Sequence, residues 1–139
     1  MTGYVDPAHE QFAAMMKMED DGPINMLNLV RFREKASYED GREATGVEAY
    51  KTYGMKSGPI FAGVGGKIIL SWSPKLTLIG PAEETWDVAF VAEYPNAAAF
   101  GKMVQDPAYQ EIVFHRQAAV ADSRLIRLKP GEAGAIFGS

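Results

Sequence analysis

Ile24-Asn25-Met26-Leu27-Asn28-Leu29-Val30-Arg31-Phe32 is the stretch on which the reading of this chain turns. Side chains of an extended strand alternate between two faces. Ile24, Met26, Val30 and Phe32 fall on one face, with Asn28 among them, and Asn25, Leu27, Leu29 and Arg31 fall on the other. A strand in an antiparallel sheet wetted on one side has one apolar and one polar face. Here the second face is apolar in its middle and polar only at its ends, so it too calls for cover.

The neighbouring segments repeat this design. Trp86 to Tyr94 alternates Trp86, Val88, Phe90, Ala92 and Tyr94 against Asp87, Ala89, Val91 and Glu93. Lys67 to Ile79 is extended and puts Ile69 between Lys67 and Ser71; Pro74 interrupts it, which marks an edge strand or a bulge. Arg124 to Leu128 reads as a last short strand. Between the strands lie helices. Thr45-Gly46-Val47-Glu48 is a capping box, and Val47, Tyr50 and Tyr53 follow on related turns. Gly58-Pro59 is expected to kink or break this helix, leaving a second piece from Ile60 to Val64. Asn96 caps a helix carrying Phe100, Met103 and Val104, and Asp106-Pro107 opens another carrying Ile112, Arg116 and Ala119 in one line. Ahead of all these, Asp6-Pro7 starts a helix with Phe12, Met15, Met16 and Glu19, ended by Asp21-Gly22-Pro23.

With that leading helix set aside, the order is β-α-β-β-α-β, the split β-α-β pattern of an α+β, ferredoxin-like fold. Both helices then cover one sheet face. The opposite faces, with Leu27, Leu29, Ile69, Ala89 and Val91 at their centres, would be closed by a second copy across a two-fold axis, making a dimeric α-β barrel. The expected organisation is one domain over 1–139: an N-terminal helix in 1–21, the core in 22–129 and a loose tail in 130–139.

Composition narrows the function classes. The chain has 139 residues, 47% of them hydrophobic, enough for one ordinary core. Fourteen basic and eighteen acidic residues give a net charge of −4, with no basic run for nucleic acid or an anionic membrane. No apolar run approaches the ~18 residues of a membrane span, and Met1-Thr2-Gly3-Tyr4-Val5-Asp6 lacks a signal-peptide pattern, so a cytoplasmic protein is the default expectation. The absence of cysteine removes disulfides, thiolate metal sites and thiol nucleophiles. No His/Asp/Glu cluster has metal-ligand spacing, and Gly63-Val64-Gly65-Gly66 precedes a strand instead of opening a phosphate-binding helix. Neither a metal nor any other cofactor is called for.

Met26 to Phe32, the helix with Tyr50 and Tyr53, Gly65-Gly66-Lys67, Trp86-Asp87, Glu93 to Phe100, Asp106-Pro107-Ala108-Tyr109 and Arg116 together resemble the DUF1330 family of the dimeric α-β barrel superfamily. The resemblance spans roughly residues 22 to 129 and rests on order and spacing. It implies the fold and a homodimer, and no common activity. The leading helix, the charged 33–44 loop and the extended 72–84 region depart from the family pattern.

The candidate site residues follow from the strands. Arg31 and Glu93 each end a strand on the second face; an arginine fork clamps carboxylates or enolates, and a half-buried glutamate serves as a base. The alternative for this pair is an ion pair closing the barrel mouth. His115 is a candidate proton shuttle or haem ligand, with a surface or core histidine as the alternative, while His9 is expected to face solvent. Asn28 is a candidate ligand contact or a structural bridge. Tyr50, Tyr53 and Trp72 are candidate aromatic walls of a pocket, with core packing as the default alternative for all three, and Arg116 beside His115 is a further candidate ligand contact. The expected function is binding of a small, partly apolar organic acid or ketone in the barrel, with cofactor-free proton transfer or oxygenation as the chemistry it would allow. The alternatives are a non-catalytic binding module and a purely structural dimer.

Overall fold

The computed structural model describes residues 3–19 and 22–138. Four strands form one antiparallel sheet in the order β2-β3-β1-β4. They are β1 (Ile24–Phe32), β2 (Lys67–Trp72), β3 (Val88–Tyr94) and β4 (Val120–Leu128), joined by α2 (Gly46–Gly63), α3 (Ala97–Gln105) and α4 (Pro107–Ala119) and preceded by α1 (His9–Lys17). The fold is α+β and ferredoxin-like, with an added N-terminal helix, as the sequence pattern implies.

The capping signals at Thr45, Asn96 and Asp106 act as read. The Thr45 hydroxyl accepts from the Glu48 N–H at 3.0 Å while the Glu48 carboxylate accepts from the Thr45 N–H at 2.8 Å, so two orphan donors of α2 are met. Asn96 and Asp106 accept from the N–H groups of Ala99 and Ala108 at 2.8 Å. Other local expectations give way. α2 continues through Pro59, because Gly58 has no Cβ to meet the proline ring and the proline falls in the last turns. Asp6 does not cap α1: the helix begins at His9 with Ala8 before it, and the Asp6 carboxylate accepts from the Gln117 side chain at 3.1 Å. Of the expected stop signal, Asp21 lies outside the described residues, and Gly22 turns the chain with φ +110°. β4 starts at Val120, four residues before Arg124, because α4 hands over directly to a strand that pairs Val120 with Phe32. β2 stops at Trp72 and β3 begins only at Val88.

On the covered face, Ile24, Met26 and Val30 of β1 stand beside Tyr94, Ala92 and Val88 of β3. Ile24, Val30 and Val120 are at most 1% exposed. Each such side chain contributes ~1.5–3 kcal/mol by leaving water. Two clusters divide this face: Ile24, Met26, Tyr94 and Phe100 with Tyr109 at one end, and Val30, Ala36, Ala49 and Val120 at the other. Gly66, between α2 and β2, lies against the Phe61 ring, where a Cβ would come within 2.2 Å of it.

Among the described residues no helix packs on the other face. The register stacks it in rows running across β2, β3, β1 and β4. Lys67, Glu93, Asn25 and Leu128 form one end; Leu70, Val91, Leu27 and Ile126, then Trp72, Ala89, Leu29 and Arg124, form the centre; Arg31 and Asp122 lie at the far end. One detail differs from the sequence pattern. A bulge between Ile68 and Leu70 shifts β2 by one residue, so Leu70 and Trp72 lie on this face in place of the expected Ile69 and Ser71.

Candidate functional site

Because β2 ends at Trp72 while β3 starts one position further out at Val88, the sheet edge is notched there. An open groove of about 370 Å³ occupies the notch, lined by Tyr50, Ser71, Trp72, Ser73, Val88, Ala89 and Phe90. Tyr50 reaches it from α2, on the helix side of the sheet, and its ring packs on Phe32 at 5.0 Å and on Tyr53 at 5.5 Å between centroids. Trp72 reaches it from the uncovered face, beside Ala89. Two of the expected aromatic residues therefore meet in one hollow, from opposite sides of the sheet. The serines and Phe90 were not singled out from the sequence. Ser71-Trp72-Ser73, polar and aromatic together at a strand end just before Pro74, was the signal for them.

Behind the groove, tyrosines gather between helices and sheet. Tyr53 and Tyr109 share a hydrogen bond of 2.8 Å between their hydroxyls, and the Tyr94 hydroxyl faces the Met103 sulfur at 3.8 Å. Among the described residues the Tyr50 hydroxyl has no hydrogen-bond partner. Burial pushes the Tyr50 hydroxyl up to about 12, with the Arg116 charge opposing, and it pushes Tyr94 and Tyr109 upward too. At neutral pH all three are hydrogen-bond donors, not bases.

Arg31 and Glu93 share the uncovered face but not a site. Glu93 pairs across the sheet with Asn25, six residues along β1 from Arg31, which separates them by about 20 Å at ~3.3 Å per residue. Antiparallel pairing dictates this, because two neighbouring strands end at opposite edges. Glu93 pairs with Lys67 at 3.3 Å. Arg31 donates to the Glu83 carbonyl at 3.2 Å and lies 3.8 Å from Asp122. Beside it Arg124 binds Asp122 at 2.7 Å and Glu84 at 3.0 Å, and its guanidinium lies over the rings of Tyr4 and Trp86 at 5.0 and 5.1 Å. Burial raises the Asp122 carboxyl, yet the Tyr4 N–H, Arg124 and the Ser123 N–H outweigh it and leave it below its ordinary value.

His115 lies away from the groove, 3% exposed, and the 33–44 loop closes over it. Its Nδ1 is 2.6 Å from the Tyr38 hydroxyl, Phe114 stacks beside it, and Arg42 caps Tyr38 at 4.7 Å. Burial lowers its pKa, helped by Arg42 and Lys56. His9 is exposed. Arg116 donates to the Val5 carbonyl and, at 3.4 Å, to the Ser123 hydroxyl, tying α4 to the N-terminal segment and β4. Asn28 turns its amide back to the Met26 carbonyl at 3.1 Å. A second hollow of about 330 Å³, lined by Glu34, Lys35, Glu43, Ala44, Thr45 and Glu48, lies by the start of α2. Among the described residues no group of three or more His, Cys, Asp or Glu side chains is placed to hold a metal ion, and no helix is long and apolar enough to cross a membrane.

Fold and site thus define a small ferredoxin-like α+β protein with an uncovered apolar sheet face and a neutral aromatic groove at one edge. The chain belongs to the DUF1330 family, a domain of unknown function, whose model matches residues 42–128. It is similar to the RPA0582 protein of unknown function from Rhodopseudomonas palustris, with 55% identity, a TM-score of 0.90, and coverage of 94% of this chain and 99% of that one. The methylated form of RPA0582 gives 56% identity, a TM-score of 0.93 and coverage of 96% and 99%. A dimeric ferredoxin-like protein of unknown function from Thermobifida fusca aligns at 17% identity and a TM-score of 0.49 over 78% of this chain and 92% of that one, too distant to inform the site. Among curated proteins none matches.

Proposed function

We propose that the protein is a homodimer, closed over its uncovered sheet face, that holds a small, planar, partly apolar organic molecule in the groove at the end of β2. The lining carries this reading: three aromatic rings, the three hydroxyls of Tyr50, Ser71 and Ser73, and two small aliphatic side chains around about 370 Å³. Sites for small ligands fall at ~300–1,000 Å³, with mostly apolar walls and a few polar groups. The dimer is supported by Leu70, Trp72 and Ile126, which are 51, 50 and 46% exposed within one band with Leu27 and Leu29. Trp72 belongs both to that band and to the groove, so closure of the face would also wall the groove.

Between an acid and a ketone, the surroundings favour the ketone. No charged side chain lines the groove, and Arg31 is engaged by Asp122 and the Glu83 carbonyl. A carboxylate taken out of water without a counter-ion is costly. Neither Glu93 nor His115 lines the groove, so binding is the function supported, with no general base at hand for turnover. The test is calorimetric titration with naphthalene and 2-acetylnaphthalene, against wild type and Trp72→Ala. Binding to the wild type, lost in Trp72→Ala while the melting temperature holds within a few degrees, is the expected result. Binding that survives Trp72→Ala, or no binding of either compound, refutes the groove as a ligand site.

A further inference from the structure

Within the groove reading, on which this inference rests, we infer that the Tyr50 hydroxyl is the recognition group, and that the ligand it selects bears a neutral hydrogen-bond acceptor, a ketone or quinone oxygen, on an otherwise apolar ring system. The geometry points there by contrast among neighbours. Tyr53 is bonded to Tyr109 at 2.8 Å, Tyr94 faces Met103, and Tyr38 is bonded to His115 at 2.6 Å. Tyr50 is flanked by rings on two sides, half-buried, and holds the hydroxyl in this cluster that has no partner among the described residues. Open to the groove, this hydroxyl meets only water in the free protein; an apolar ligand that displaces the water leaves the donor unmet, which costs free energy and discriminates for a ligand that carries an acceptor.

The chemistry of that donor sets the ligand class. Burial keeps the hydroxyl protonated far above neutral pH, with a value of about 12, so it donates and does not abstract. Arg116 acts on Tyr50 from a distance, while its two terminal nitrogens donate to the Val5 carbonyl and the Ser123 hydroxyl. Its field strengthens the hydroxyl as a donor without offering a direct salt bridge to a carboxylate. A carbonyl oxygen gains from such a donor, a hydrocarbon gains nothing, and an anion lacks its counter-ion.

The experiment compares 2-acetylnaphthalene, naphthalene and 2-naphthoate on the wild type, Tyr50→Phe and Tyr53→Phe. In the wild type the ketone should bind at least tenfold tighter than the hydrocarbon, and the carboxylate weakest. Tyr50→Phe should abolish the ketone's advantage and leave naphthalene unchanged, whereas Tyr53→Phe, which removes a hydroxyl already bonded to Tyr109, should preserve it. Naphthalene binding with no ketone preference, a ketone preference that survives Tyr50→Phe, or naphthoate binding at least as tight as the ketone would each overturn this inference while the groove stands. Absence of binding by all three removes the groove and the inference together.

Discussion

The two faces of one sheet are built from adjacent residues of the same strands, and only one is finished within the chain. Val30 is fully buried under α2 and α4, while its neighbour Leu29 points to the face without helices. The covered face is apolar along β1 and β3 apart from Asn28, and it is closed by α2, α3 and α4, each with a side-chain cap. The uncovered face is apolar in two central rows except for Arg124 at the β4 edge, and it ends in ion pairs, Lys67 with Glu93 on one side and Arg31 with Asp122, which Arg124 also binds, on the other. A core that a helix completes needs no polar rim. A face that another copy completes needs one, because its margin stays wet and its centre does not.

This difference is open to a direct break. Val30→Asp buries an unpaired carboxylate in the finished core and should cost more than 4 kcal/mol, seen as loss of cooperative unfolding. Leu29→Asp, one residue away, should keep the far-ultraviolet circular dichroism spectrum of a folded chain while light scattering at micromolar concentration falls from dimer to monomer mass. Equal damage from both substitutions would mean that both faces belong to one chain's core, and an unaltered dimer in Leu29→Asp would remove the sheet face as the interface.

How much of this was legible in the sequence follows from what each feature depends on. The strand order was readable because alternation in β1 and β3 and the caps at Thr45, Asn96 and Asp106 are local signals. The parity of β2 was not, because one bulged residue exchanges its faces and nothing in Ile68-Ile69-Leu70 marks it. Tyr50 and Trp72 could be named as aromatic walls from their places on a helix and a strand. That they meet depends on where β2 stops, which is a tertiary fact. Arg31 and Glu93 were joined on their shared face alone, and antiparallel register then separated them. The Arg124 cluster with Tyr4, Asp122 and Trp86 gathers residues from three distant segments, for which no spacing rule exists.

A smaller effect sharpens the comparison through pH. The covered side hides a histidine under the 33–44 loop, whereas the charges at the ends of the uncovered face are held in ion pairs. Burial, with Arg42 and Lys56 adding to it, holds His115 below its ordinary 6.5, against a smaller opposing pull from Asp40. In the unfolded chain the ring takes up its proton near 6.5; in the folded chain it does so only at lower pH. The unfolded state thus binds more protons between those two values, and stability falls as the pH drops below 6.5. Thermal melts at pH 7.5 and 5.5 should show a decrease for the wild type that is clearly smaller in His115→Gln. An identical decrease in both would assign the loss to other groups.

The smallest expected effect concerns Arg31, and it separates a margin from a binding site. The guanidinium reaches two acceptors in different directions, the Glu83 carbonyl at 3.2 Å and Asp122 at 3.8 Å, and 31% of the side chain remains exposed. Arg31→Lys keeps the charge but replaces a planar fork with a point donor, which cannot hold both acceptors at once. The Asp122 carboxylate loses little, because Arg124, Ser123 and Tyr4 still serve it. The cost should therefore be that of one half-exposed contact, about 0.5 kcal/mol and no more than ~1. Since Arg31 does not line the groove, naphthalene and 2-acetylnaphthalene should bind Arg31→Lys as they bind the wild type. A tenfold loss of ketone affinity with the melting temperature unchanged would instead make Arg31 a ligand contact. It would move the site from the notch at the end of β2 to the polar rim of the uncovered face.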